Sequence, residues 1–539
     1  VPQQPPSPSP RRDFLRQLAG TATMAGLVGP GLYAARAASG PPLATTRSGR
    51  IAGFVERGIH VFRGVPYGGD TARRRFQRAV REAAWTGTRD ATRFGASAPQ
   101  RGDADGQAVS EDCLFLNVYT PALRDGGKRP VLFYIHGGGY NNGSGSHALY
   151  DGVNLCRRGD VVVVTVNHRL NTFGYLYLGE SGDERLRDAG NVGQLDVIDA
   201  LRWVREHAHE FGGDAGNVTV FGQSGGGAKI ATLMAMPEAD GLFHRAMTMS
   251  GQQVTAAGPR AAAQRTALFL AELGLGPRDT AALLAMPMAR LLEATRVRDP
   301  SRVEDTSLYF GPVLDTHNLP RHPFYPDAPA QSARIPMVIG NTRDETRAFL
   351  GNDEANFALT WDQLPQKLRE QQYVDLSPEV VIAEYRRLYP DYTPSEVFFA
   401  ATTAGRSWRG AIIEAEERAK QGAPAWVYQL DWRSPAEGGR LRAFHTLDIP
   451  LVFDNVAAKG SKTGDDARAR AMAARMSEAL IALARHGDPN HAGLPDWAPY
   501  TLPRRQTMVL DDTPRMQDDP RGGERKLYQR VPFVQRGTM

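Results

Sequence analysis

Val218-Thr219-Val220-Phe221-Gly222-Gln223-Ser224-Gly225-Gly226 joins a short apolar, β-branched run to a glycine-rich turn. The run has strand chemistry, and the residues from Gly227 to Met236 beyond the turn have a helical pattern. G-x-S-x-G between a strand and a helix is the nucleophile-elbow pattern. The glycines allow a turn tight enough to hold Ser224 in a strained, exposed pose, and the new helix points its first amides at negative charge developing there. In a chain with 56 Gly the five-residue pattern is weak by itself. Its position between strand and helix gives it weight.

Further apolar runs repeat the arrangement on both sides of this one. Val131 to Ile135, Val161 to Val166, Ala246 to Met249, Pro336 to Ile339 and Trp426 to Leu430 are continuous and rich in β-branched residues, which suits strands buried on both faces. Helical stretches such as Gln194 to Glu210 lie between them. The alternation predicts an α/β chain with a mostly parallel central sheet and helices on both faces, and the elbow between strand and helix points to the α/β-hydrolase fold. Sheets of this kind bind ligands beyond the carboxyl ends of their strands. Polar and Pro-rich stretches near Arg321 to Ala333 and Gln517 to Arg525 read as loops.

The residues just past each strand therefore carry the functional information. His136-Gly137-Gly138-Gly139-Tyr140 comes directly after the run ending at Ile135, and successive glycines let backbone amides converge on an oxyanion. Asn341-Thr342-Arg343-Asp344-Glu345 comes after another run and supplies a carboxylate that can orient a histidine. Ala443-Phe444-His445-Thr446 comes after the last run, ahead of Leu447-Asp448-Ile449-Pro450. Taken singly, the acids read as a solvated cluster and the histidine as structural. Together they give the order Ser, acid, His that this fold requires.

The 539 residues are 41% hydrophobic and 23% charged, an ordinary globular composition. The net charge of +5 is concentrated at the start: Arg11, Arg12, Arg16 and Arg36 outweigh Asp13 by three, so the remainder carries about +2 and has no nucleic-acid-binding signature. Cys113 and Cys156 are too few for a disulfide framework, and a buried thiol is expected at Cys156. No metal-ligand spacing is evident; His207 and His209 are two apart on a predicted helix and point to different faces. No metal or organic cofactor is expected.

Residues 1–37 read as an export signal. Arg11-Arg12-Asp13-Phe14-Leu15 precedes a weakly apolar Ala- and Gly-rich stretch from Leu18 to Leu32, and Ala35-Arg36-Ala37 offers a small-x-small cleavage site. The paired arginines resemble the twin-arginine type. The expectation is a periplasmic or secreted protein, with the twin-arginine machinery as a transient partner and no stable membrane anchor after processing. Residues 38–539 form the expected catalytic domain.

Those residues resemble the type-B carboxylesterase and cholinesterase family, especially its bacterial para-nitrobenzyl-esterase-like members. The resemblance runs from Gly49-Arg50-Ile51 and Phe62-Arg63-Gly64-Val65-Pro66-Tyr67 through Glu111-Asp112-Cys113-Leu114-Phe115-Leu116-Asn117-Val118 and Gly190-Asn191-Val192-Gly193 to Gly487-Asp488-Pro489-Asn490. It implies a triad of Ser224, Glu345 and His445, with oxyanion donors at the amides of Gly138, Gly139 and Gly225. It also implies a supporting hydroxyl at Ser250. The chain departs from the family in three ways: Gln223 stands where Glu is frequent, Cys113 lacks an upstream partner, and no Trp lies between Gln100 and Glu111. Without that ring, choline esters lose their cation–π partner.

The implied activity is hydrolysis of a small to medium carboxylic ester by two-step acyl transfer through Ser224. An acyltransferase or amidase, a long-chain lipase and a non-catalytic adhesion protein of the same fold are the rival readings; the last typically lacks a triad member. The acyl-pocket walls are expected to include Ser307-Leu308-Tyr309-Phe310.

Overall fold

The computed structural model describes residues 40–102, 104–300 and 307–535. The export-signal expectation for residues 1–37 lies outside them. Residues from Pro41 onward form one compact unit. Among the described residues its centre is an eleven-stranded sheet. In chain order the strands are β1 (Phe54–Glu56), β2 (Ile59–Pro66), β3 (Phe115–Thr120), β4 (Arg129–Ile135), β5 (Val162–Val166), β6 (Gly213–Gln223), β7 (Arg245–Met249), β8 (Met337–Thr342), β9 (Ala425–Leu430), β10 (Gln506–Leu510) and β11 (Arg515–Asp518). Their spatial order is β11-β10-β9-β8-β7-β6-β4-β5-β3-β2-β1. The stretch from β10 to β5 is parallel throughout, and antiparallel strands close both ends. Leu43–Thr46, Gly49–Ala52 and Thr88–Asp90 make a separate small sheet.

The central strands are apolar without a break because both of their faces are covered. Every residue of β5, β8 and β9 is buried. Period-two alternation then divides one strand between two cores. Val131, Phe133 and Ile135 of β4 pack on one side with Leu201, Trp203 and Val204 of helix Val192–His207. Leu132 and Tyr134 face the other way, into a cluster with Met472, Met476 and Leu480 of helix Ala467–His486. That helix begins at Asp466, whose side chain accepts from Ala469 N at 2.9 Å, and stops at Gly487 with φ 75°.

Several stretches that carried the family resemblance have structural duties. Glu111 forms a buried ion pair with Arg75. Asn191 is buried, donates to Val313 O at 2.7 Å and accepts from Val313 N at 3.1 Å. Asn490 donates to Asp488 and accepts from Trp497 N, turning the chain after Gly487. Cys113 and Cys156 are both buried and free; Cys156 lies on helix Val153–Gly159 just before β5, and its thiol donates to Tyr119 O at 3.3 Å.

One expectation fails. Gln517 to Arg525 is not a loop: it contains the end of β11 and the start of helix Gly522–Tyr528. The segment is polar because β11 is a largely exposed edge strand. The helix buries Leu527 and Tyr528 in an apolar cluster and is also held by buried Glu524, which accepts from Arg521, Tyr385 and Tyr389.

Candidate active site

β6 ends at Gln223, and Ser224 then turns the chain into helix Gly225–Leu233. Ser224 has φ 56° and ψ −126°, a conformation that costs a non-glycine residue about 1–3 kcal/mol. Backbone bonds hold it there: Ser224 N donates to Met249 O at 2.7 Å, and Ser224 O accepts from Ala228 N at 3.1 Å. A Cβ at Gly225 would lie 2.0 Å from Gly139 O, so the turn packs directly against the glycine loop after β4.

In that loop Gly138 has φ 82°, and a Cβ there would meet Asn142 O at 2.2 Å. Gly138 O accepts from the amides of Asn141 and Asn142 at 3.1 and 3.2 Å. Among the described residues, no protein acceptor takes the N–H of Gly138, Gly139 or Gly225. Lys229, one helical turn beyond Gly225, donates to His136 O at 3.2 Å and to Gly139 O at 2.9 Å. Burial, with Lys229 adding to it, pushes His136 down to about 3, so this ring is neutral. It stacks on His168 at 4.7 Å.

Glu345 lies three residues past β8 and is fully buried. Its Oε2 is 2.5 Å from His445 Nδ1, while Oε1 accepts from Thr342 N at 3.0 Å and Asn341 Nδ2 at 3.3 Å. Burial opposes its ionisation, but His445, the Ser250 hydroxyl and Thr342 N outweigh it and hold the carboxyl below the usual range. Ser250 is buried beside Glu345; its hydroxyl favours the carboxylate without completing a full hydrogen bond. Asp344 is directed elsewhere and pairs with Arg347 at 3.3 Å.

Glu345 Oε2 fixes the ring proton on His445 Nδ1 and leaves Nε2 as an acceptor. The nearest donor to it is the Gln223 side chain, whose Nε2 lies 3.1 Å away. Ser224 Oγ makes no hydrogen bond among the described residues. The structure thus brings Glu345, His445 and Gln223 into one chain that ends beside Ser224. Sequence reasoning gave no role to Asp448. This buried residue accepts from Tyr428 OH at 2.9 Å, and burial, reinforced by Glu345, pushes its carboxyl up to about 7. Ser307 and Leu308 line a cavity of about 310 Å³ with Asn141, Asn142 and Leu292, so part of the expected pocket wall adjoins the glycine loop. Phe310 is buried, and the Tyr309 ring packs edge-on to Tyr140 at 6.2 Å.

The sequence profile of the carboxylesterase family matches residues 40–527. The chain belongs to the carboxylesterase family. Para-nitrobenzyl esterase of Bacillus subtilis (strain 168) is 34% identical over 90% of this chain and 98% of its own length. Phenmedipham hydrolase of Pseudarthrobacter oxydans is 35% identical over 87% of this chain and 95% of its own. Among solved structures, the Geobacillus stearothermophilus carboxylesterase EST55 superposes with a TM-score of 0.80 at 38% identity, over 90% of this chain and all of that one. This carboxylesterase-family chain has the α/β-hydrolase fold, and its chemistry is carboxylic ester hydrolysis.

Proposed function

We propose that Ser224 is the nucleophile of a two-step acyl transfer, with His445 as general base and Glu345 as its orienting acid. His445 Nε2 takes the Ser224 proton as Oγ attacks the ester carbonyl. The carbonyl oxygen becomes an oxyanion and accepts from the amides of Gly138, Gly139 and Gly225. His445 returns the proton to the departing alkoxide, and the same sequence with water releases the acid and restores Ser224. Glu345 holds the Nδ1–H tautomer and stabilises the imidazolium, with Ser250 supporting the carboxylate.

The observation that carries this reading is the 2.5 Å contact between His445 Nδ1 and buried Glu345, reached from the strained Ser224 through Gln223. The substrate is read as a small to medium carboxylic ester. In the testing experiment, Ser224→Ala abolishes aryl-ester hydrolysis, and a serine-directed phosphonate probe labels the wild type alone. Retained turnover in the folded variant overturns the assignment.

Residues 1–37 are proposed as a twin-arginine export signal and residues 38–539 as the catalytic domain, placing the enzyme in the periplasm or outside the cell. Among the described residues no helix is long and apolar enough to cross a membrane.

A further inference from the structure

Lys229 is fully buried on the helix after Ser224, and among the described residues no carboxylate pairs with it. Its ammonium is held by two carbonyl oxygens and faces the Tyr140 ring, whose centroid is 5.4 Å away. Burial pushes its pKa down to about 7. An ammonium taken out of water without a counter-ion carries a large desolvation cost. An apolar side chain of similar length would fill the same space without that cost.

The two acceptors bracket the oxyanion glycines. His136 O and Gly139 O both accept hydrogen bonds from Lys229. Gly137 O lies 2.9 Å from His136 Nδ1, which donates to it, and Gly138 O accepts from Asn141 N and Asn142 N. Every carbonyl from His136 to Gly139 is therefore anchored on the protein side. A planar peptide with its C=O pinned also has its N–H direction pinned, so the bonds to Gly137 O and Gly138 O set the Gly138 and Gly139 N–H groups, while Lys229 fixes the flanking planes of His136–Gly137 and Gly139–Tyr140. Among the described residues the amides of Gly138 and Gly139 are left without protein acceptors.

We propose that Lys229 is a positioning residue for this oxyanion loop: by clamping His136 O and Gly139 O it holds the two peptide planes that flank those carrying the Gly138 and Gly139 amides, and so keeps the segment that presents these amides in place. The inference rests on reading those amides as oxyanion donors. Because the charge exists only in the tetrahedral state, Lys229 acts on kcat and leaves KM nearly unchanged.

The test compares Lys229→Met and Lys229→Gln with the wild-type full chain, using an aryl butyrate as substrate and an alkyl boronic acid as a tetrahedral mimic. Lys229→Met, with its fold verified by circular dichroism, is expected to lose about 30-fold or more in kcat, with KM within about threefold. Its boronate affinity falls by a similar factor. Lys229→Gln, which keeps an N–H donor, is expected to fall between. A folded Lys229→Met enzyme with kcat within about threefold of wild type overturns the proposal, as does lost kcat with unchanged boronate affinity. If Lys229→Met does not fold, Lys229→Gln is judged by the same two readings. Ser224→Ala separates the layers. Activity surviving that change overturns the underlying reading, whereas an inactive Ser224→Ala beside a fully active Lys229→Met overturns the clamp alone.

Discussion

Gln223 Nε2 lies 3.1 Å from His445 Nε2, so the residue before the nucleophile donates to the nitrogen assigned to take the nucleophile's proton. The amide is buried and neutral at a position where a carboxylate would sit against the ring. A negative charge there favours the imidazolium. Gln223→Glu is therefore expected to move the acid limb of the kcat/KM profile to higher pH, because that limb reports the essential base in free enzyme. A profile that superimposes on wild type, or moves down, would assign Gln223 a packing role. High salt is expected to leave the shift in place, since the contact is buried.

Glu345→Gln is expected to lower kcat by about 10²–10⁴-fold with little change in KM, because the amide neither stabilises the imidazolium nor fixes its tautomer. A loss below about tenfold, or 1.4 kcal/mol, would exclude Glu345 as the orienting acid. Stability gives a second reading. The folded carboxyl is held below its ordinary value of 4.5, so its contribution is present above that pH and lost as pH falls below it. Acid unfolding profiles should show a smaller loss below pH 4.5 in Glu345→Gln than in wild type.

Gly138→Ala tests the oxyanion loop from its other side. A Cβ at φ 82° is strained, and it would also press on Asn142 O at 2.2 Å. The loop must shift, and kcat is expected to fall by about 10²-fold or more, the cost of one lost oxyanion donor. An unchanged kcat in the purified variant would remove Gly138 from the set of donors.

The central strands and the chemistry at their ends were legible in the sequence for one reason. Strands buried on both faces read as unbroken apolar runs, and the elbow, the glycine loop, Glu345 and His445 all come after such runs. The outer elements gave no such signal. Every residue of β3 is buried although its sequence mixes Asn117, Tyr119 and Thr120 with apolar residues, and β11 is an edge strand of Arg515, Met516, Gln517 and Asp518. Lys229 was equally hidden. A lysine in Ala228-Lys229-Ile230 reads as a surface residue, and only its spacing of four from Gly225 hints that it shares the buried face of the helix. Asp448 sits in view after His445, but its environment depends on Tyr428 and Glu345, which are distant in sequence.

The proposed export signal makes its own prediction. Arg11→Lys together with Arg12→Lys is expected to leave active enzyme in the cytoplasm, because a twin-arginine receptor reads the guanidinium pair. Fractionation of esterase activity in the host measures this, and undiminished activity in the exported fraction would refute the route.

Asp448 offers a pH test independent of catalysis. It is buried beside Glu345, and its folded carboxyl is pushed up to about 7 by burial and by that neighbouring charge. In the unfolded chain an aspartate titrates near about 3.9. Between these values the folded state binds the extra proton, so stability falls as pH rises from about 4 to about 7 and levels off above. An asparagine side chain at this position would be neutral at every pH, and its oxygen can still accept from Tyr428 OH, which now donates to Asp448 at 2.9 Å. Asp448→Asn is therefore expected to flatten the fall in unfolding free energy between pH 4 and pH 7 and to be at least as stable as wild type at pH 7.5. Denaturant titrations across that range measure it. If the variant keeps the wild-type slope, the proton is not held on Asp448. A variant less stable than wild type at pH 7.5 would mean that the site holds an ionised carboxylate, compensated within the His445 and Tyr428 surroundings.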